Sequence, residues 1–214
     1  MMRHVKRTGA LLGCALLLVS CTSKPPKSLV TPLPQAKPVQ QTNAPMRGIW
    51  LATVSRLDWP PVSSVNGRSA DQRIAQQQKA LTDKLDKLKK LGINTVFFQV
   101  KPDSTALWAS EILPWSDTLT GTIGEDPGYD PLQFMLDEAH KREMKVHAWF
   151  NPYRVSTNTK PSTIAALNRT SSLHPSSVYV QHPEWIRTSG DRFVLDPGIP
   201  EVRDWITQVV MEVV

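Results

Sequence analysis

Asn94-Thr95-Val96-Phe97-Phe98-Gln99-Val100 decides the fold. It is an apolar run of strand length, rich in aromatic and β-branched residues. It does not alternate polar with apolar, so both faces expect burial. Upstream, Asp71 to Leu91 reads as a helix. Ile74, Leu81, Leu85 and Leu88 share one stripe, Lys84, Lys87, Lys89 and Lys90 lie largely off it, and Gly92 stops it. Before that, Gly48-Ile49-Trp50-Leu51-Ala52-Thr53-Val54 reads as another buried strand, with Trp50 in the core.

Downstream the unit recurs. Asp130-Pro131-Leu132-Gln133 supplies an N-cap, a proline at the first helical position and Gln at N3, for a helix running to about Arg142. Lys145-Val146-His147-Ala148-Trp149-Phe150 is the next strand. Asn151 to Gly190 reads as irregular. A short strand, Arg192 to Leu195, then precedes a helix opening near Pro200 with the stripe Val202, Trp205, Ile206, Val209 and Val213. Apolar strands alternating with helices predict a parallel sheet covered by helices, as a doubly wound sheet or a (β/α)8 barrel. No Gly-rich phosphate loop follows either early strand. Polar and aromatic residues gather at the strand ends instead, where barrel active sites are built.

The segment ahead of the domain is of a different kind. Arg3, Lys6 and Arg7 form a basic start, and Leu11 to Val19 an apolar core shorter than the about 20 residues a spanning helix needs. It ends in Leu18-Val19-Ser20-Cys21, similar to the lipobox of bacterial lipoproteins. Residues 1–20 are expected to be a cleaved signal, and Cys21 the lipidated new N-terminus; an uncleaved anchor is the alternative. Residues 21–45 hold six prolines, three lysines and no acid, so they read as an extended linker. Its reach is at most ~75 Å. Thr22 in place of Asp points, by the enteric sorting rule, to the outer membrane facing the periplasm.

The net charge of +6 belongs to this segment: six of the 25 basic residues precede Met46, and the rest balance the 19 acids. The domain, residues 46–214, therefore lacks the positive footprint of a nucleic-acid binder. Its two cysteines, Cys14 and Cys21, both lie ahead of it, so no disulfide is expected there. His140, His147, His174 and His182 have no metal-ligand spacing, and no metal or other cofactor is expected.

Five blocks carry a resemblance: Arg47-Gly48-Ile49-Trp50-Leu51-Ala52-Thr53, Gln99-Val100-Lys101-Pro102-Asp103, Gly128-Tyr129-Asp130-Pro131-Leu132, His147-Ala148-Trp149-Phe150-Asn151-Pro152-Tyr153-Arg154 and Leu195-Asp196-Pro197-Gly198. In this order they resemble the glycosyl-hydrolase-like 10 family of bacterial lipoproteins. The resemblance implies a (β/α)8 barrel that hydrolyses peptidoglycan glycan strands, especially strands stripped of stem peptides, during daughter-cell separation. It also implies glycan strands, the membrane lipid anchor and division-site proteins as partners.

Two departures stand out. The family usually has Gly at the position of Glu143, where Gly would suit a left-handed helix end. The second is that Val213-Val214 ends the chain inside an apolar stripe, with 169 residues from Met46 against about 250 for a full barrel. The strand that in the family carries paired acids is not present. Residues 46–214 are thus expected to be the N-terminal portion of a truncated barrel, inactive as given.

Among the candidate site residues, Asp103 is the catalytic one, an acid or base after the second strand, with a turn role after Pro102 as the alternative. Trp149, Asn151, Tyr153 and Arg154 suit sugar binding through aromatic faces, amide and guanidinium; loop packing is the other reading. His147 is a candidate sugar contact or a satisfied core histidine. Asp196 binds sugar or braces its turn, and Gln99 and Lys101 are weaker candidates of the same kind. Three functions stand: a periplasmic glycan hydrolase, a non-catalytic glycan-binding lipoprotein, and a fragment that does not fold stably.

Overall fold

The computed structural model describes residues 45–66 and 69–214. The expected signal, Cys21 and the linker lie outside the described residues, apart from Pro45. In chain order the elements are β1 (Gly48–Leu51), α1 (Ala70–Lys90), β2 (Thr95–Lys101), α2 (Asp117–Thr120), α3 (Pro131–Lys141), β3 (Lys145–Phe150), α4 (Pro161–Arg169), α5 (Val178–Gln181), β4 (Ile186–Ser189), β5 (Arg192–Leu195) and α6 (Pro200–Met211). β1, β2 and β3 form a parallel sheet in that order, with Gly48 opposite Thr95 and Thr95 opposite Lys145.

The sheet has two unlike faces. Leu51, Val96, Phe98 and Val100 point into a core shared with Leu81, Leu85 and Leu88 of α1 and with Leu132, Met135 and Ala139 of α3. Burying a leucine of this kind contributes about 1.5–3 kcal/mol. On the other face Trp50 stacks on Phe97 at 4.7 Å, Phe97 stacks on His147 at 5.0 Å, and Trp149 meets Trp50 edge-on at 5.0 Å. Gly48 makes room for this ladder, because a Cβ there would lie 2.7 Å from the Phe97 ring. Trp50 is 59% exposed, so the core position expected for it is corrected: strand alternation puts it on the open face.

The helix ends follow the sequence closely. Ser69 caps α1 and Asp130 caps α3, each accepting from the backbone N–H three residues on. Gln133 does not return the cap; its amide donates forward to Asp137. After α1, Gly92 (φ +76) ends the helix with Ile93 N donating to Leu88 O and Gly92 N to Lys89 O. The same pair of bonds closes α3, from Met144 N to Ala139 O and Glu143 N to His140 O, but here the left-handed residue is Glu143 (φ 56). Its side chain is exposed and reaches only an exposed Lys89. Glu143→Gly should therefore raise stability by about 1 kcal/mol. A chemical-denaturation midpoint that stays put or falls would reject this.

Downstream, two expectations are corrected. The stretch from Asn151 to Gly190 contains α4, α5 and β4; its helices, nine and four residues long, are too short to declare a periodicity. Arg192 to Leu195 is a strand, but it pairs antiparallel with β4 and does not extend the parallel sheet. Gly190 (φ +59) followed by Asp191 makes the two-residue turn. Among the described residues, no helix is long and apolar enough to cross a membrane.

Candidate functional site

The carboxyl ends of β2 and β3 are tied together by buried polar side chains. Gln99 is fully buried, and its Oε1 accepts from Thr53 N and Val54 N, both at 2.9 Å. Lys101 is equally buried, and its ammonium donates to the carbonyls of Asp103 (2.6 Å), Asn151 (3.1 Å) and Pro152 (3.3 Å). Burial pushes its pKa down to about 8, against the pull of Asp103 and with a push from Arg154. Asn151 continues the lacing: its amide donates to Pro102 O and accepts from the Trp149 indole. These four side chains hold the strand ends through protein partners, with the buried Gln99 Nε2 left unpartnered among the described residues.

The remaining candidates divide. Arg154 lies half-buried and donates weakly to Pro102 O at 3.4 Å. Tyr153 packs against the core, and its backbone carbonyl accepts from Leu195 N. Asp196 accepts from Gly198 N at 2.8 Å and pairs with Arg187 at 3.1 Å, which is the geometry of a turn brace. His147 is exposed on the aromatic ladder, away from these ends.

Asp103 opens onto a polar cleft of about 280 Å³, at the lower edge of ligand-site size. Thr105, Asp117, Ser156, Asn158 and Thr163 share its lining. The Thr105 hydroxyl donates to Asp103 Oδ1 at 2.7 Å. Burial first and the Asp117 charge second raise the Asp103 pKa, against Thr105, Lys101 and Arg154, to about 6. Asp117 is raised as well, by burial, with the Arg56 charge opposing. Two carboxyl groups in one cleft, one holding its proton near neutral pH, can perform acid–base chemistry. Asp117 and Arg56 escaped sequence reasoning: Asp117 begins a four-residue helix in an aperiodic loop, and Arg56 lies 61 residues from the carbonyl it meets. Among the described residues, no cluster of three or more His, Cys, Asp or Glu is placed to hold a metal.

The raised Asp103 makes stability pH-dependent. Below about pH 4 both folded and unfolded states are protonated and nothing is lost. Between about 4 and 6 only the unfolded state has ionised, so stability falls as pH rises. Asp103→Asn should gain on the parent across that window, on the order of 1–2 kcal/mol after allowing for partial solvent access. Parallel urea-unfolding curves at pH 4 and pH 7 would contradict it.

Residues 45–214 match the glycosyl hydrolase-like 10 family, and the chain belongs to that family. The chain is 71% identical over 98% of its length to glycosyl hydrolase DigH of Escherichia coli K12, of which it covers 48%. Over 81% of its length it is 41% identical to glycosyl hydrolase YngK of Bacillus subtilis, covering 31% of that protein. It thus spans about half the length of its first relatives, or less. Among solved structures, the noncanonic maltogenic alpha-amylase AmyB of Thermotoga neapolitana overlays 77% of this chain and 35% of its own, at a TM-score of 0.42 and 15% identity.

Proposed function

We propose that residues 46–214 are the N-terminal part of a (β/α)8 barrel hydrolase that cleaves peptidoglycan glycan strands, peptide-stripped strands in particular, in wall remodelling at division. The observation that carries this reading is the placement of Asp103 and Asp117 in one polar cleft at the strand ends. Glycoside hydrolysis uses two carboxyl groups, one giving a proton to the leaving oxygen while the other acts as carboxylate. Asp103, which keeps its proton to about pH 6, suits the first role. The signal, Cys21 and linker read from the sequence would hold the domain on the outer membrane facing the periplasm, within reach of the wall and of division-site proteins.

The reading of a glycan binder without catalysis is less favoured, because Trp50, Phe97, His147 and Trp149 engage one another on the open sheet face and none of them lines the polar cleft. Trp50, Phe97 and His147 stack face to face, and the Trp149 indole N–H is bound to Asn151. Joined to the second half that the Escherichia coli relative carries, the chain should release reducing ends from purified peptide-stripped glycan strands. Asp103→Asn should cut that release by about 10²–10⁴-fold. Full release by the variant removes Asp103 from the chemistry. Sedimentation of the joined chain with strands but no release selects the binder, and the absence of both overturns the hydrolase and the binder alike.

A further inference from the structure

The loop after β1 is strained. Ser55 (φ 52) and Arg56 (φ 56) are consecutive non-glycine residues in the left-handed region. Such pairs persist only where the surroundings over-determine them. Here they do. Gln99 Oε1 takes both N–H groups that precede the pair, Thr53 Oγ1 returns a bond to Gln99 O at 2.8 Å, and Asp58 Oδ2 accepts from Ala52 N at 2.8 Å. Beyond the pair, the backbone N–H groups of Asp58 and buried Trp59 both reach Ala52 O.

The strain has a product. The Arg56 guanidinium donates to Thr118 O at 2.8 Å and, more closely, to Asp117 O. Its charge is thereby held at the backbone of Asp117, a residue of the cleft wall, close enough to act on the Asp117 carboxyl. Among the described residues, Asp103, across the cleft, has no arginine bonded to its own backbone; Lys101, which bonds its carbonyl, is divided among three carbonyls, and Arg154 bonds Pro102.

We propose that Gln99 and Arg56 are positioning residues of this cleft: Gln99 clamps the strained loop, the loop sets the Arg56 charge against Asp117, and the two carboxylates become unequal. Arg56 makes Asp117 the more readily ionised of the two, and Asp103 is the one that holds its proton longer. This rests on the cleft being the hydrolytic site proposed above, and it adds the assignment of the two roles. Unequal environments are the means by which paired acids divide general-acid and carboxylate work. The charged groups facing the pair are Arg56 at Asp117, and Lys101 and Arg154 at Asp103.

The test is a carboxyl-carbon NMR titration of both aspartates in the chain itself. In Arg56→Gln, whose side chain is partly solvent-accessible, the Asp117 midpoint should rise by about one pH unit and that of Asp103 should fall. Gln99→Met, which keeps length but removes the acceptor, should move both the same way. Gln99→Glu, which restores an acceptor, should move Asp117 less. Unchanged midpoints in Arg56→Gln overturn the proposal. So does a shift in Arg56→Gln that neither Gln99 variant reproduces while circular dichroism shows them folded. If the titration behaves as expected and the joined chain still releases no reducing ends, the hydrolytic reading fails while the positioning stands.

Discussion

Trp59→Ala should destabilise the domain by about 3–5 kcal/mol, read as a lower urea midpoint at unchanged slope. Trp59 is 1% exposed and among the largest side chains that the fold buries completely. It fills the space between the β1 loop and α1, meeting Phe98 edge-on at 5.9 Å and donating its indole N–H to Gln77 O at 3.0 Å. Alanine leaves a large void, and the backbone cannot close the gap because the flanking loop is pinned to Ala52. A loss under about 1 kcal/mol would mean that the site collapses freely and that the loop is less constrained than described.

Gln77→Leu should cost about 2–4 kcal/mol although it puts an apolar side chain of similar size into a fully buried position. The Gln77 amide donates to Leu119 O at 2.7 Å and Ser64 Oγ at 3.1 Å and accepts from the Tyr129 hydroxyl at 2.9 Å. Leucine strands the buried Leu119 carbonyl outright. Ser64 keeps its bond to Pro61 O, and Tyr129 is partly buried, so their losses are smaller. Gln77 also anchors α2, which begins with Asp117, so the same variant should disturb the cleft. Trp59 and Gln77 touch, and their double variant should lose less or more than the sum by at least about 0.5 kcal/mol. Additivity would show that the two act separately.

The strands and long helices were readable because their signals are local. The run from Thr95 to Val100 and the stripe of Leu81, Leu85 and Leu88 need no partner to announce themselves, and they form β2 and α1 nearly at the expected bounds. The left-handed end at Glu143 was readable from the departure alone. The site was readable only as an address. Asp103 was found at its strand end, whereas Gln99 and Lys101, in the same block, turn inward onto backbone groups from other loops. Thr53 lies 46 residues from Gln99, and Asn151 lies 50 from Lys101. Nothing in a one-dimensional pattern states which carbonyl a buried ammonium will meet. Tyr129 shows the same limit: in a block that reads as a helix start, its hydroxyl serves Gln77 on another helix.

The ladder on the open face gives the sheet an optical signature. The Trp50 and Trp149 indoles sit 5.0 Å apart with planes at 88°, one on each outer strand, and both lean over β2. Two such chromophores so close and crossed exchange excitation and impose handedness on each other's absorption. Their near-ultraviolet circular dichroism band is therefore a ruler across the sheet: any slip of β1 against β3, or any polypeptide laid over the face, changes its sign or strength before the helices register anything.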